Sequence, residues 1–114
     1  MNKNSFFVNL NKTPEAIAFA ETIAFIEENY TFEPTAFENG VLHNAAGENS
    51  GSCKLFAFAE LHNLSEAATL SCFGAYYYDD VLKNPEGTNH QNIRNFMKTG
   101  WKGIAFYGSP LVSK

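Results

Sequence analysis

The sequence predicts an α+β fold, mainly helical, with about four helices and a small antiparallel sheet built from a hairpin near residues 35–44 and a C-terminal strand near 104–107. Three observations lead there. Apolar residues recur at helical spacing over 13–29, 52–62 and 65–82. Asn39-Gly40 stands between two short strand-like runs, and this dipeptide is a strong hairpin signal because both residues accept positive φ cheaply. Of the 114 residues, 45% are hydrophobic and 11 are phenylalanine, enough apolar material for a core without disulfides or metal. The expected organisation is one domain over 1–114.

A short helix over 4–11 puts Phe6, Phe7 and Leu10 on one side. Thr13 reads as an N-cap and Pro14 as the first residue of a second helix that runs to about Asn29, since proline lacks only an N–H the first turn would leave unpaired. Its buried stripe is Phe19, Ile23, Ile26 and Tyr30, with Ala16 alongside, opposite a glutamate-rich face. Two strands over 35–38 and 41–44 should flank a type I′ turn at Asn39-Gly40, followed by a loop over 44–51. Helix 52–62 places Leu55, Phe58, Ala59 and His62 on one face. Ser65 caps a helix to about Leu82 that is apolar on two sides, so it is the expected centre of the domain, and Pro85 forbids much further extension. Thr88 or Asn89 caps the last helix, which ends near Lys98 with Gly100 at C′ and Ile93, Phe96 and Met97 inward. After a strand at 104–107 the tail reads as a loose end.

Net charge is −4, and the eight basic residues are scattered. Nucleic acid and anionic membrane surfaces both require clustered Lys and Arg, so neither is an expected partner. No apolar run approaches the ~18–20 residues of a membrane span. The opening apolar stretch is too short for a secretory signal, so the expected compartment is the cytoplasm. There Cys53 and Cys72 stay as thiols; a bridge between them would require export. The histidines and cysteines show no metal-ligand spacing, and no cofactor is expected.

Three stretches hold chemistry. In "ENSGSCKLF" (48–56), Asn49, Ser50 and Ser52 offer hydrogen-bonding groups at a helix start, where free N–H groups attract anions. Cys53 in that first turn is a candidate nucleophile with a base drawn from His43, His62 or His90, or else an inert packed thiol. In "YYYDDVLKN" (76–84), Asp79 and Asp80 sit near a helix C-terminus, where negative charge is disfavoured by roughly 0.3–1 kcal/mol each. They mark either a site, with the Tyr77 hydroxyl nearby, or ion pairs with Arg94 or Lys83. In "TNHQNIRNF" (88–96), His90, Asn92 and Arg94 crowd one helix start. The planar fork of Arg94 suits a carboxylate or phosphate, although pairing with Asp79 or Asp80 is the preferred reading. If the starts at 50–53 and 89–92 face one cleft, the chain is a binding protein for a small anionic ligand or a protein partner. If Cys53 finds a base, it is a cysteine-dependent hydrolase or transferase.

The segments "YTFEPTAFENG", "NSGSCKLFAFAELHNLS", "CFGAYYYDDVL" and "NPEGTNHQNIRNFMKTGWKGI" together resemble the HopJ type III effector protein family, from about Glu15 to Leu111. The resemblance implies a small bacterial protein, made in the bacterial cytoplasm, with a link to type III secretion into host cells. It implies no reaction and assigns no functional residue.

Overall fold

The computed structural model describes residues 3–114. In chain order these form α1 (Lys3–Lys12), a 3₁₀ turn (Pro14–Ala16), α2 (Phe19–Asn29), β1 (Tyr30–Phe32), β2 (Phe37–Asn39), β3 (Leu42–Asn44), α3 (Ser50–Leu61) and α4 (Glu66–Ser71). A π-helical turn (Tyr76–Val81), α5 (Gln91–Thr99), a second 3₁₀ turn (Gly100–Gly103), β4 (Ile104–Phe106) and β5 (Leu111–Ser113) complete it. The class is mainly helical α+β with small antiparallel sheets.

The central element is α3, not the stretch 65–82. Every residue of α3 from Leu55 to Ala59 is buried, and a helix apolar all round must be enclosed by its neighbours. Positions 56 and 58 lie two residues apart, so at about 100° per residue they project to nearly opposite sides. An aromatic cluster forms on each. Phe58 meets Phe6 and Phe25 at 5.7 Å and Tyr30 at 6.2 Å, joining α1, α2 and β1. Phe56 meets Phe96 at 4.9 Å, Phe73 at 5.4 Å and Phe37 at 6.2 Å, joining α5, the segment after α4, and β2. The phenylalanine content is thus spent on two sides of one helix within a single core cluster.

Two expected helices are each interrupted, and the interruptions pack on one another. Ile17 and Ala18 are extended, so the turn at Pro14 does not continue into α2, and Thr13 makes no side-chain cap bond. Ile17 is buried instead. The inward face of α2 is Thr22, Phe25 and Ile26, while Phe19 and Ile23 are half-buried. Ser65 does cap α4, accepting from the Ala68 amide at 3.1 Å, but that helix ends at Ser71. Gly74 then takes φ +62°, and a Cβ there would stand 2.8 Å from Phe19 N and 3.0 Å from Ile17 O. Only glycine allows both that φ and that approach. Beyond it the chain winds into the π-helical turn, with the Leu82 amide donating to Tyr77 O at 2.9 Å.

The hairpin forms with a different turn. Asn39 stays in β2 opposite Leu42, the loop is Gly40-Val41, and Gly40 takes positive φ (+61°) while Asn39 and Val41 do not. Glycine first in a two-residue loop is the II′ arrangement rather than I′. As expected, β4 joins this hairpin, giving the order β3-β2-β4. The tail is not loose: β5 pairs antiparallel with β1, Tyr30 opposite Ser113 and Phe32 opposite Leu111. Finally, the N-cap of α5 is His90, one residue after Asn89 and two after Thr88, the predicted caps, and Met97 is 45% exposed rather than inward.

Candidate functional site

The N-terminal turns of α3 and α5 face one cleft of about 490 Å³. From α3 it is lined by Asn49, Gly51 and Ser52, and from α5 by His90, Gln91, Asn92 and Ile93. Phe19, Phe73 and Tyr76 supply aromatic walls, and Leu42 of the hairpin closes one side. Gly51 is needed for this shape, since a Cβ there would lie 2.9 Å from Cζ of Phe19.

Both helix starts have the same local structure. Their N-cap residues, Asn49 and His90, are left-handed, with φ 51° and 52°, and neither side chain caps its helix. The first intrahelical bonds run from the Cys53 amide to Asn49 O (3.0 Å) and from the Arg94 amide to His90 O (3.1 Å). In an α-helix the amides before these have no intrahelical acceptor. Those amides belong to Ser50, Gly51, Ser52, Gln91, Asn92 and Ile93, and all of these residues but Ser50 line the cleft. By contrast, α4 is capped conventionally by Ser65.

Beneath the cleft an asparagine network ties the hairpin to both helices. Asn44 and Asn92 exchange amide hydrogen bonds, Nδ2 to Oδ1, at 3.1 and 3.0 Å. Asn39 donates to Asn92 O at 2.7 Å, and Asn49 donates to Asn44 Oδ1 at 2.7 Å. Asn39, Asn44 and Asn92 are buried, so the bonds among these three are made away from competing water and are costly to lose. This explains why Asn39 belongs to the strand and not to the turn.

At the other side of the cleft, His90 pairs with Asp80 (Nε2 to Oδ2, 3.0 Å) and packs against Tyr76, ring centroids 5.1 Å apart. Tyr76 in turn packs edge-on to Phe19 at 5.3 Å. The π-helical turn therefore delivers both Tyr76 and Asp80 to His90. Tyr77, the tyrosine singled out from the sequence, does not line the cleft; burial raises its pKa, and it packs against Tyr78. Asp79 pairs with Lys83 at 3.1 Å on the surface. The expected pairing of Arg94 with Asp79 or Asp80 does not occur. Its guanidinium instead donates to Asn89 O (2.6 Å), Asn89 Oδ1 (2.8 Å), Asn84 O (3.0 Å) and Pro85 O (3.4 Å), because the loop 84–90 folds over it.

Cys53 is not placed as a nucleophile. It is 1% exposed, its thiol donates to Thr35 O at 3.6 Å, and burial pushes its pKa up to about 11. Desolvation of the thiolate outweighs any help from the helix start. Cys72 is likewise buried and free, its pKa pushed up to about 12 by burial, so the two cysteines do not bridge. Ser50 and Ser52 do not cap α3; Ser50 Oγ donates back to Gly47 O at 3.4 Å. Of the other histidines, His62 bonds the Tyr30 hydroxyl at 2.6 Å, and His43 pairs with Glu38 on the sheet surface.

Among the expected residues, then, Asn49, Ser52, His90 and Asn92 meet in one cleft, while Ser50, Tyr77, Asp79 and Arg94 lie outside its lining and Asp80 reaches it through His90. Phe19, Phe73, Tyr76 and Gln91 were not expected there. The phase of the three consecutive tyrosines depends on the π-helical turn, which no local residue pattern announces.

The sequence profile of the HopJ type III effector proteins matches residues 3–111. The chain belongs to the HopJ type III effector protein family. A solved structure, the crystal structure of VPA0580, a protein of unknown function, matches this HopJ chain with TM-score 0.98 at 54% identity. The match covers 100% of this chain and 95% of that one. No curated protein is significantly similar in sequence. Among the described residues, no helix of this HopJ protein is long and apolar enough to cross a membrane, and no group of three or more His, Cys, Asp or Glu could hold a metal ion.

Proposed function

We propose that this HopJ domain is a binding module, not an enzyme built on Cys53, and that the cleft between α3 and α5 takes a small oxyanion carrying a flat apolar group. What supports the reading is one observation: two helix starts, neither capped by a side chain, line the same cleft. Several N–H donors and two positive dipole ends suit a phosphate-like group. Phe19, Phe73 and Tyr76 suit a ring. The asparagine network holds the two starts in register, so the site needs little reorganisation on binding.

The test is titration of ¹⁵N-labelled protein with phenyl phosphate and, separately, inorganic phosphate. Saturable shifts centred on the amides of Gly51, Ser52, Asn92 and Ile93, larger for phenyl phosphate, are the expected result. Unmoved amides at both helix starts would remove the reading.

The family match favours a second role, that the protein acts after type III export into a host cell. Fusing the first 20 residues to a translocation reporter tests it. Absence of the reporter from host cells under secretion-inducing conditions would withdraw the effector role and leave the binding role standing.

A further inference from the structure

Arg94 is 8% exposed, and its hydrogen-bond partners are neutral: three backbone carbonyls and one side-chain amide oxygen. Among the described residues no carboxylate lies within ion-pair distance of it. A cation this deeply buried is stabilised by carbonyl dipoles but has no counter-charge, an arrangement that is costly in an enclosed site. Four of its five N–H groups are committed, which leaves one on Nη2.

The same guanidinium lines a second cavity of about 550 Å³, within the range of small-molecule pockets. Its apolar walls are Val81 from the π-helical turn, Leu82 just after it, Pro85 from the loop and Met97 from α5, with Thr88 and Gln91 adding polar groups. Lys98 stands in the lining, and no Asp or Glu does. Leu82 and Met97 are 44% and 45% exposed, so two large apolar side chains border the opening. Gly87 gives access to the guanidinium, since a Cβ at that position would stand 2.6 Å from Nη2.

We infer that this cavity is a second binding site, distinct from the cleft at the helix starts, for a small monoanionic amphipathic acid whose carboxylate pairs with Arg94. A single buried charge with one uncommitted N–H balances one negative charge. An aliphatic tail has the apolar walls of Val81, Leu82, Pro85 and Met97 to cover. The inference is independent of the binding role proposed for the first cleft, although Gln91 lines both cavities.

The test uses sodium butanoate, hexanoate and octanoate, with hexanamide as the neutral control, titrated into ¹⁵N- and methionine-methyl-labelled protein. Saturable shifts should centre on Gly87, Thr88 and the Met97 methyl. Affinity should rise about two- to fourfold per added methylene, the range expected for partial to full burial of each one. Hexanamide should not bind. Met97→Glu, at a half-exposed position that tolerates charge without unfolding, should weaken octanoate at least about tenfold. Hexanamide binding as tightly as hexanoate, no saturation at any chain length, or shifts confined to Ser52 and Asn92 would each overturn the inference. Phenyl phosphate shifts at the first cleft are read separately, so failure of one site does not imply failure of the other.

Discussion

Burial moves the thiols of Cys53 and Cys72 in one direction, up to about 11 and about 12 from an ordinary value of 9.0. The unfolded chain loses these protons first as pH rises, so the native state holds more protons above that value. Stability should therefore be unaffected by the thiols below pH 9.0 and should fall as pH rises from 9.0 through the folded values. Tyr30 and Tyr77, whose pKa values burial also raises, add to the decline. Urea midpoints across that alkaline range should show it, with a shallower slope in Cys72→Ala. Native-state alkylation of Cys53 should remain slow at neutral pH; a rate midpoint at or below the ordinary thiol value of 9.0 would contradict its burial. Gly51 acts at the same scale. Gly51→Ala should push the Phe19 ring away from α3, change stability by no more than about 1 kcal/mol, and weaken phenyl phosphate binding in the titration described above.

The breaks at Ile17–Ala18 and at Gly74 are a pair of elements that define each other. Gly74→Ala meets both an unfavourable φ and backbone atoms at 2.8 and 3.0 Å, which cannot rotate away as a side chain would. A loss of roughly 1–3 kcal/mol in urea unfolding is expected. A neutral effect would mean that α2 and the segment after α4 are not in contact there. The asparagine network joins elements in the same sense. Asn92→Ala strips partners from the buried amides of Asn39 and Asn44, and should cost roughly 1–3 kcal/mol. Amide exchange should rise in β2 and β3 before it rises in α3 if the hairpin is held through Asn92.

The whole molecule is closed by its last strand. Leu111 is 7% exposed, β5 pairs along β1, and the Lys114 amide donates to Asn29 O at 3.1 Å. Deleting residues 111–114 removes a buried leucine and a short ladder, together about 2–4 kcal/mol. For a chain of this size the calorimetric Tm should drop by roughly 10–20 °C. An unchanged Tm would mean that β5 adds nothing to the fold. At this scale the placement of α3 also matters most: aromatic clusters occupy both of its sides and tie it to α1 through Phe6 and to α5 through Phe96.

Residue patterning alone determined the mainly helical class, the hairpin and its third strand, the Ser65 cap, the stop at Gly100 and the two polar helix starts. Apart from the pairing of that third strand, each of these follows from side-chain chemistry acting within a few residues. Only the tertiary structure decided which helix is central, where two long apolar periodicities break, and which polar groups share a cavity. Phe73 and Gly74 fit a helix locally, yet the close approach of Ile17 and Phe19 makes a turn there the better packed solution. Arg94 could reach either an aspartate or the loop carbonyls, and the fold of residues 84–90 chose the carbonyls. Contacts between segments 50 residues apart reward a whole arrangement at once, and no short window of sequence carries that information.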